Sequence, residues 1–197
     1  MVIPRTTMSS LEWIATLLGI ACVALAAMRN VWTFPTGIGS VVLLGIVVFE
    51  ARLYSDAALQ VFFAVANLYG WVQWRRAKGM EGEIAVRTMA TGERMRWAVA
   101  TLAGWLAWGA LMHSRTDAAY PWWDAAIAAV SIAAQLLMGR RRIENWCLWI
   151  AVDVASVPLY LIKELYLFAG LYLIYLALAV GGLMSWHKAS RGGREAA

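Results

Sequence analysis

The sequence predicts an all-α integral membrane protein with seven transmembrane helices, arranged as two three-helix repeats joined by one further helix. Three observations support this fold class. Hydrophobic residues make up 62% of the 197 residues and charged residues only 15%, whereas about 25% of a soluble domain is charged. Seven apolar segments are each long enough to cross a bilayer as a helix. Similar short stretches recur 112 positions apart.

Polar connections separate the seven apolar segments. The longest connection, 75–96 ("RRAKGMEGEIAVRTMATGERMR"), follows the third segment, and its composition predicts a mobile loop. The chain is then one membrane domain, 1–197, with repeat one at 11–74, a linking loop and helix at 75–112, and repeat two at 122–186. The segments themselves are 11–28, 36–53, 57–74, 97–112, 122–138, 143–161 and 165–186.

Lysine and arginine are distributed unevenly between the two sides of the predicted bundle. Four of the 17 lysines and arginines lie in loops on the same side as the N-terminus, and thirteen lie on the opposite side. Cytoplasmic loops carry the excess of cations, so we predict an external N-terminus and a cytoplasmic C-terminus. The first segment is then a mature helix, because its cleavage as a signal peptide would leave the thirteen cations outside. This distribution accounts for the net charge of +5 without a nucleic-acid partner.

A constant offset of 112 residues relates the two ends of the chain. Trp32 also aligns with Trp146 if the offset is shifted by two residues. Three helices per repeat and one linking helix make both repeats enter the membrane from the same side, as in SWEET transporters, which hold substrate at the repeat interface. The identities at the constant offset are Leu53 with Leu165, Tyr54 with Tyr166, Ala57 with Ala169, Leu59 with Leu171 and Trp74 with Trp186.

Polar and aromatic side chains recur at helical spacing on the third, fifth, sixth and seventh segments. Unpaired polar groups are costly in hydrocarbon, so we expect these faces to enclose an aromatic-lined polar cavity. Asp153 lies near the middle of its segment, where a carboxylate costs about 3 kcal/mol on insertion scales. The candidate substrate-binding residues are Gln60, Phe63, Asn67, Trp71, Gln135, Asn145, Trp146, Trp149, Asp153, Tyr172 and Tyr175.

Structural roles are the alternative for several of these residues. Asn67 and Gln135 have the chemistry of amides that join helices, and Asp153 has that of a structural hydrogen-bonding partner. An aromatic belt at the cytoplasmic interface is the alternative for five tryptophans. These are Trp32, Trp74, Trp97, Trp146 and Trp186.

The motifs of several enzyme classes are missing from the sequence. It contains no G-x-x-x-x-G-K-[ST] phosphate loop, no zinc-ligand spacing and no Ser/His arrangement in an apolar segment. Cys22 and Cys147 both lie in apolar segments, which favours packing roles. We therefore predict no catalytic activity, no metal and no cofactor.

Two long stretches resemble the PnuC vitamin transporters of bacteria. They cover 29–74 and 140–186, and their most specific pieces are "LYSDAALQ" with "YGWVQW", and "IENWCLWIAVD". The resemblance implies a homotrimer in the inner membrane and facilitated diffusion of nicotinamide riboside, which a cytosolic kinase then traps by phosphorylation. It also implies that the polar and aromatic stripes form the binding site. Thiamine and riboflavin are the alternative substrates within the wider group.

The residues favour a cationic vitamin on independent physical grounds. A flat cation gains about 1–2 kcal/mol from each desolvated aromatic face, and Asp153 supplies one opposite charge. A neutral-sugar carrier of the same architecture would leave that carboxylate without a charge to meet. A membrane scaffold without a transported ligand would use the polar stripes for helix contacts and form no cavity.

Overall fold

The computed structural model describes residues 9–50, 54–82, 84–116 and 119–195, and seven α-helices lie within them. They follow the predicted segments, apart from the predicted end of the second segment at 53, which lies outside the described residues. Helices α3 and α7 continue past their apolar segments. The helices are α1 (Ser10–Ala27), α2 (Thr33–Glu50), α3 (Tyr54–Glu81), α4 (Thr91–Arg115), α5 (Pro121–Gly139), α6 (Glu144–Ile162) and α7 (Tyr166–Glu195).

Hydropathy separates five of the described helices from the other two. Helices α1, α2, α5, α6 and the stretch Tyr166–Arg191 of α7 are long and apolar enough to cross a membrane. Helix α3 is less apolar because it contains Gln60 and Asn67, and α4 begins with a turn that includes Glu93 and Arg94. The prediction of a multi-span helical protein is confirmed for five helices, and the crossing of α3 and α4 stays a prediction.

Six helices pack side by side in a closed ring. Around the ring, α1 contacts α2, α2 contacts α3, α3 contacts α5, α5 contacts α6, α6 contacts α7, and α7 returns to α1. Helix α4 packs along α5 and lies outside the ring, and the ion pair between Arg94 and Glu144 joins its first turn to α6. The inward faces of α1–α3 and α5–α7 thus share one interior.

One end of this interior is filled by four aromatic side chains, here called the tryptophan cluster: Phe34, Trp74, Trp146 and Trp186. Each is at most 1% exposed. The rings of Trp74 and Trp186 lie 5.8 Å apart between centroids, and each meets a further ring edge-on, Phe34 at 5.0 Å and Trp146 at 5.6 Å. The indole N–H of Trp74 donates to the Met138 carbonyl, and that of Trp186 donates to the Ala26 carbonyl, both at 3.0 Å.

The tryptophan cluster excludes the aromatic-belt alternative for three tryptophans and bears on the alignment of the two repeats. Its three indoles are buried in the ring and do not form an aromatic belt, whereas Trp32 is 67% exposed. Phe34 and Trp146 lie 112 positions apart, and each ring packs against a glycine at the same offset. A Cβ at Gly70 would meet Phe34, and one at Gly182 would meet Trp146. These contacts favour the alignment of Trp146 with Phe34 over its alignment with Trp32.

Residues 84–90 between α3 and α4 form an extended strap across the tryptophan cluster, so the prediction of a mobile loop is wrong for this part of the connection. Ile84 and Val86 are buried in the same core as the cluster. The backbone N–H of Arg87 donates to the Arg141 carbonyl (3.0 Å), and that of Ile143 donates to the Arg87 carbonyl (3.1 Å). The polar composition of the connection did not reveal the strap, because only alternate side chains of an extended segment face the core.

Gly182 allows a direct test of the packing in the cluster. A Cβ at Gly182 would lie 2.5 Å from Cζ2 of Trp146, whereas a Cβ at the neighbouring Gly181 would meet nothing within 4 Å. We expect Gly182→Ala to lower the free energy of unfolding by about 1–3 kcal/mol, the usual cost of overpacking. Thermal unfolding of the purified protein in detergent measures this as a lower Tm.

Gly181→Ala is the matched control for this change. It should leave the Tm unchanged or raise it, because alanine is favoured over glycine in a helix by about 1 kcal/mol. Equal loss of Tm in both variants would contradict the close contact between Gly182 and Trp146.

Candidate functional site

Asp153 lies on the inward face of α6 and is the most unusual buried group in the bundle. It is 3% exposed, and its carboxylate forms no hydrogen bond or ion pair with any other described residue. Trp149 and Ser156 lie about one helical turn before and after it, on the same face of α6. A buried carboxylate without a partner is costly, and such a group in a membrane segment is a functional candidate by default.

Further polar atoms of the ring interior are buried without a partner among the described residues. Their side chains come from α3, α5 and α6, and a polar ligand would satisfy them where the protein does not. Two of the side chains are half satisfied, because Asn67 Nδ2 donates to the Phe63 carbonyl (2.8 Å) and Asn145 Nδ2 donates to the Arg142 carbonyl (2.6 Å). The atoms are Asn67 Oδ1, Gln135 Nε2, Asn145 Oδ1, Trp146 Nε1 and Ser156 Oγ.

Tyr175 connects the two halves of the ring. It projects from α7 toward α1 and α2, where a Cβ built at Gly19 would lie 2.6 Å from its hydroxyl oxygen and 3.2 Å from Ser40 Oγ. Tyr175 therefore crosses the interior from α7 to the opposite helices α1 and α2.

Asn67 joins the same neighbourhood through α2. A Cβ at Gly37 would lie 2.8 Å from Asn67 Oδ1 and 3.0 Å from Cys22 Sγ, so the amide and the thiol approach the same glycine from α3 and α1. The hydroxyl of Thr33 donates to the Cys22 carbonyl at 2.8 Å. Neither Cys22 nor Thr33 was a candidate site residue, since no spacing or charge marks either of them. We call Asn67, Cys22, Tyr175 and Asp153, with Gln135 and Ser156, the polar layer.

Stacked aromatic rings cover the polar layer on the side away from the tryptophan cluster. Tyr160 stacks on Phe168 with centroids 5.6 Å apart and on Tyr172 at 5.1 Å, and Tyr172 meets Tyr175 edge-on at 6.0 Å. This aromatic stack leads from Phe168, which is 39% exposed, to the polar layer. Tyr160 was absent from the candidate list, although its position four residues after Ser156 was an available signal.

The eleven candidate residues occupy several environments. Trp146 belongs to the tryptophan cluster, and Trp71 lines a surface groove of about 470 Å³ outside the polar layer. The described part of the chain holds no group of three or more His, Cys, Asp or Glu side chains placed to bind a metal ion. Five candidates are buried, namely Asn67, Gln135, Asn145, Trp146 and Asp153, and six are partly exposed, namely Gln60, Phe63, Trp71, Trp149, Tyr172 and Tyr175.

Comparison with known proteins identifies similar chains along almost the whole length. A family model described as nicotinamide mononucleotide transporter matches residues 9–188. The nicotinamide riboside transporter PnuC of Escherichia coli is 29% identical over 209 residues, which cover 93% of this chain and 87% of that protein. The riboflavin/roseoflavin transporter RibM of Streptomyces davaonensis is 32% identical over 185 residues, which cover 91% of this chain and 85% of that protein.

A solved structure has the same fold. The crystal structure of the vitamin B3 transporter PnuC superposes with a TM-score of 0.77 and 25% sequence identity, and the match covers 92% of this chain and 82% of that chain. The similarity therefore includes both three-helix halves of the ring.

The unpartnered carboxylate predicts an unusual effect on stability. Asp153→Asn is nearly isosteric and removes a buried charge without breaking a hydrogen bond, so the ligand-free protein should become more stable. A gain of about 1 kcal/mol would raise the Tm by roughly 2–4 °C for a chain of this size. Thermal unfolding in detergent, without added substrate, measures the change.

Asp124→Asn is the control, because Asp124 forms an ion pair with Lys163 at 3.1 Å. Removing a paired, partly exposed carboxylate should leave the Tm unchanged or lower it slightly. A lower Tm for Asp153→Asn would mean that a structural partner holds the carboxylate, and would remove it from the candidate site.

Proposed function

The chain belongs to the nicotinamide mononucleotide transporter family, and on that premise we propose that it carries nicotinamide riboside across the bacterial inner membrane by facilitated diffusion. The observation that supports this substrate is the unpartnered carboxylate of Asp153 among aromatic rings and spare amide groups. Nicotinamide riboside presents complementary chemistry, namely a flat pyridinium cation, a carboxamide and ribose hydroxyls.

Each part of this substrate has a suitable counterpart in the polar layer. Asp153 would meet the pyridinium charge, and the rings of Trp149 and Tyr172 would contact its faces, since aromatic faces attract desolvated cations. The amides of Asn67 and Gln135 would pair with the carboxamide and the hydroxyls. Those amide atoms are buried without protein partners, so binding would satisfy groups that are otherwise costly.

The proposed architecture is a parallel repeat of three helices, with α4 as the link and all seven helices crossing the membrane. The two ring-closing contacts support it, because α3 with α5 and α7 with α1 are equivalent at the 112-residue offset. Two turn residues at the same offset, Arg29 and Arg141, both have positive φ, 56° and 61°. The indole N–H groups of Trp74 and Trp186 donate to the carbonyls of Met138 and Ala26, which are also 112 positions apart. The cation distribution supports an external N-terminus and a cytoplasmic C-terminus.

Transport in this proposal needs the two ends of the interior to open in turn. The aromatic stack would open to the outside, and the tryptophan cluster with the 84–90 strap would open to the cytoplasm. Relative movement of the two three-helix repeats would exchange these states around a fixed site. Phosphorylation of the product by a cytosolic kinase would keep it inside the cell. A homotrimer is the assembly that the family resemblance implies.

Riboflavin is the second candidate substrate, because the RibM relative has 32% identity to this chain. Riboflavin has a flat aromatic ring system but no fixed positive charge, so it would leave Asp153 without an opposite charge. The amides and the tyrosines would suit its ring and its hydroxyl chain equally well. The two substrates therefore differ mainly in their use of Asp153.

A binding experiment separates these substrates. Isothermal titration of the purified protein with nicotinamide riboside, riboflavin and thiamine should give the highest affinity for nicotinamide riboside. Asp153→Asn should weaken that affinity by about 1.5–3 kcal/mol, the usual value for a hydrogen bond to a charged group. A higher affinity for riboflavin than for nicotinamide riboside, with no effect of Asp153→Asn, would identify riboflavin as the substrate instead.

Uptake into sealed vesicles tests the energy source. Nicotinamide riboside should enter without ATP and without a proton or sodium gradient. An inside-negative potential of 100 mV should increase its equilibrium accumulation roughly fiftyfold, because one charge gains about 2.3 kcal/mol. Riboflavin, which is neutral, serves as the control for the potential. Strict dependence on an ion gradient would contradict facilitated diffusion.

A further inference from the structure

The surface groove beside Trp71 lies between the beginning of α2 and the last turns of α3. Its volume is about 470 Å³, and Trp32, Pro35, Trp71, Arg75 and Lys78 line it. On α3 the residues 71, 75 and 78 follow helical spacing, so they form one face. The groove therefore combines an indole-rich wall with two cations.

The cations of this groove differ from most others at the same end of the bundle. Within the described residues, Arg75 and Lys78 form no hydrogen bond or ion pair. By contrast, Arg94 pairs with Glu144 at 2.8 Å and Arg142 pairs with Glu93 at 3.1 Å. Arg29 donates to the Ile84 carbonyl at 3.4 Å. The neighbouring cations hold the strap and α4, whereas those of the groove keep their charge available for an anion.

The position of the groove defines the kind of anion. Trp74, one residue before Arg75, belongs to the tryptophan cluster at the end of the ring, so the groove lies where spanning helices leave the hydrocarbon. Trp32 is 67% exposed there, and tryptophan is enriched at the level of lipid headgroups. An adjacent depression lined by Val72, Arg75 and Arg76 continues the cationic surface around α3.

We propose that this groove binds one anionic phospholipid of the surrounding leaflet. The phosphate lies between Arg75 and Lys78, and the glycerol and upper acyl chain pack on Trp32. Charge complementarity supports this occupant, since two unpaired cations face a lipid phosphate. The amphipathic wall supports it as well, because a free phosphate compound would gain nothing from the exposed indole.

Lipid binding to the purified full-length protein tests the proposal. Native mass spectrometry from detergent, at low salt, should detect one dioleoyl phosphatidylglycerol retained per chain at concentrations where dioleoyl phosphatidylcholine is lost. The double variant Arg75→Gln with Lys78→Gln should weaken phosphatidylglycerol binding by roughly thirtyfold, because each cation near an anionic surface contributes a factor of about five. Equal binding of both lipids to the wild type would overturn the proposal.

Lys188→Gln with Arg191→Gln is the matched control. It removes two cations with the same three-residue spacing from the corresponding end of α7, and both side chains are exposed. Phosphatidylglycerol binding should be unchanged in this control. An equal loss of phosphatidylglycerol binding in this control would mean that the lipid responds only to the general positive charge of the surface, and would overturn the proposal of a defined site.

Two further outcomes would also overturn the proposal. Displacement of phosphatidylglycerol by equimolar glycerol 3-phosphate would identify a soluble phosphate compound as the ligand. A changed oligomeric mass of the groove variant, with unchanged lipid binding, would identify the groove as a subunit interface. Far-ultraviolet circular dichroism and the Tm verify that both double variants fold like the wild type.

Discussion

The contact between Trp74 and Trp186 is the constraint on which the rest of this structure depends. Both indoles are completely buried, and each N–H donates to a backbone carbonyl of the opposite three-helix group. An indole buried with its N–H unpaired would lose the free energy of that hydrogen bond, so the pairing fixes α3 against α5 and α7 against α1. These are the two contacts that close the ring, and they decide where the interior lies.

Residues 112 positions apart match in the packing of the ring but differ in its polar layer. Phe34 and Trp146 take equivalent places in the tryptophan cluster, as Gly70 and Gly182 do. The position equivalent to Asp153 is Val41, and the position equivalent to Asn67 is Ala179. These packing residues match between α1–α3 and α5–α7, while the polar residues give the two groups of helices different chemistry. A substrate with one charged end and one hydrogen-bonding end suits such an arrangement.

Buried polar atoms without protein partners make the empty interior less stable than an apolar core of the same shape. Asn67, Gln135 and Ser156 each leave at least one such atom, and Asp153 adds a carboxylate. A ligand that forms these hydrogen bonds would gain binding free energy, because it pairs groups that the folded protein leaves unpaired. The aromatic rings on both sides of the polar layer surround it with apolar groups, and a charged contact formed there by a ligand would be stronger than in water.

Composition and hydropathy alone determined the membrane class and the helical elements, because spanning helices must be long and apolar. Residue identities such as Trp74 with Trp186 indicated the 112-residue offset. Helical spacing also placed Asp153, Ser156 and Trp149 on one face. Only the tertiary structure decided which tryptophans are core, since a belt position and a buried position have the same hydropathy, and Trp146 and Trp32 differ only in what packs against them. It also decided the roles of Cys22 and the 84–90 strap, because their neighbours come from segments distant in the chain. Periodicity describes one helix at a time, whereas burial depends on which helices meet.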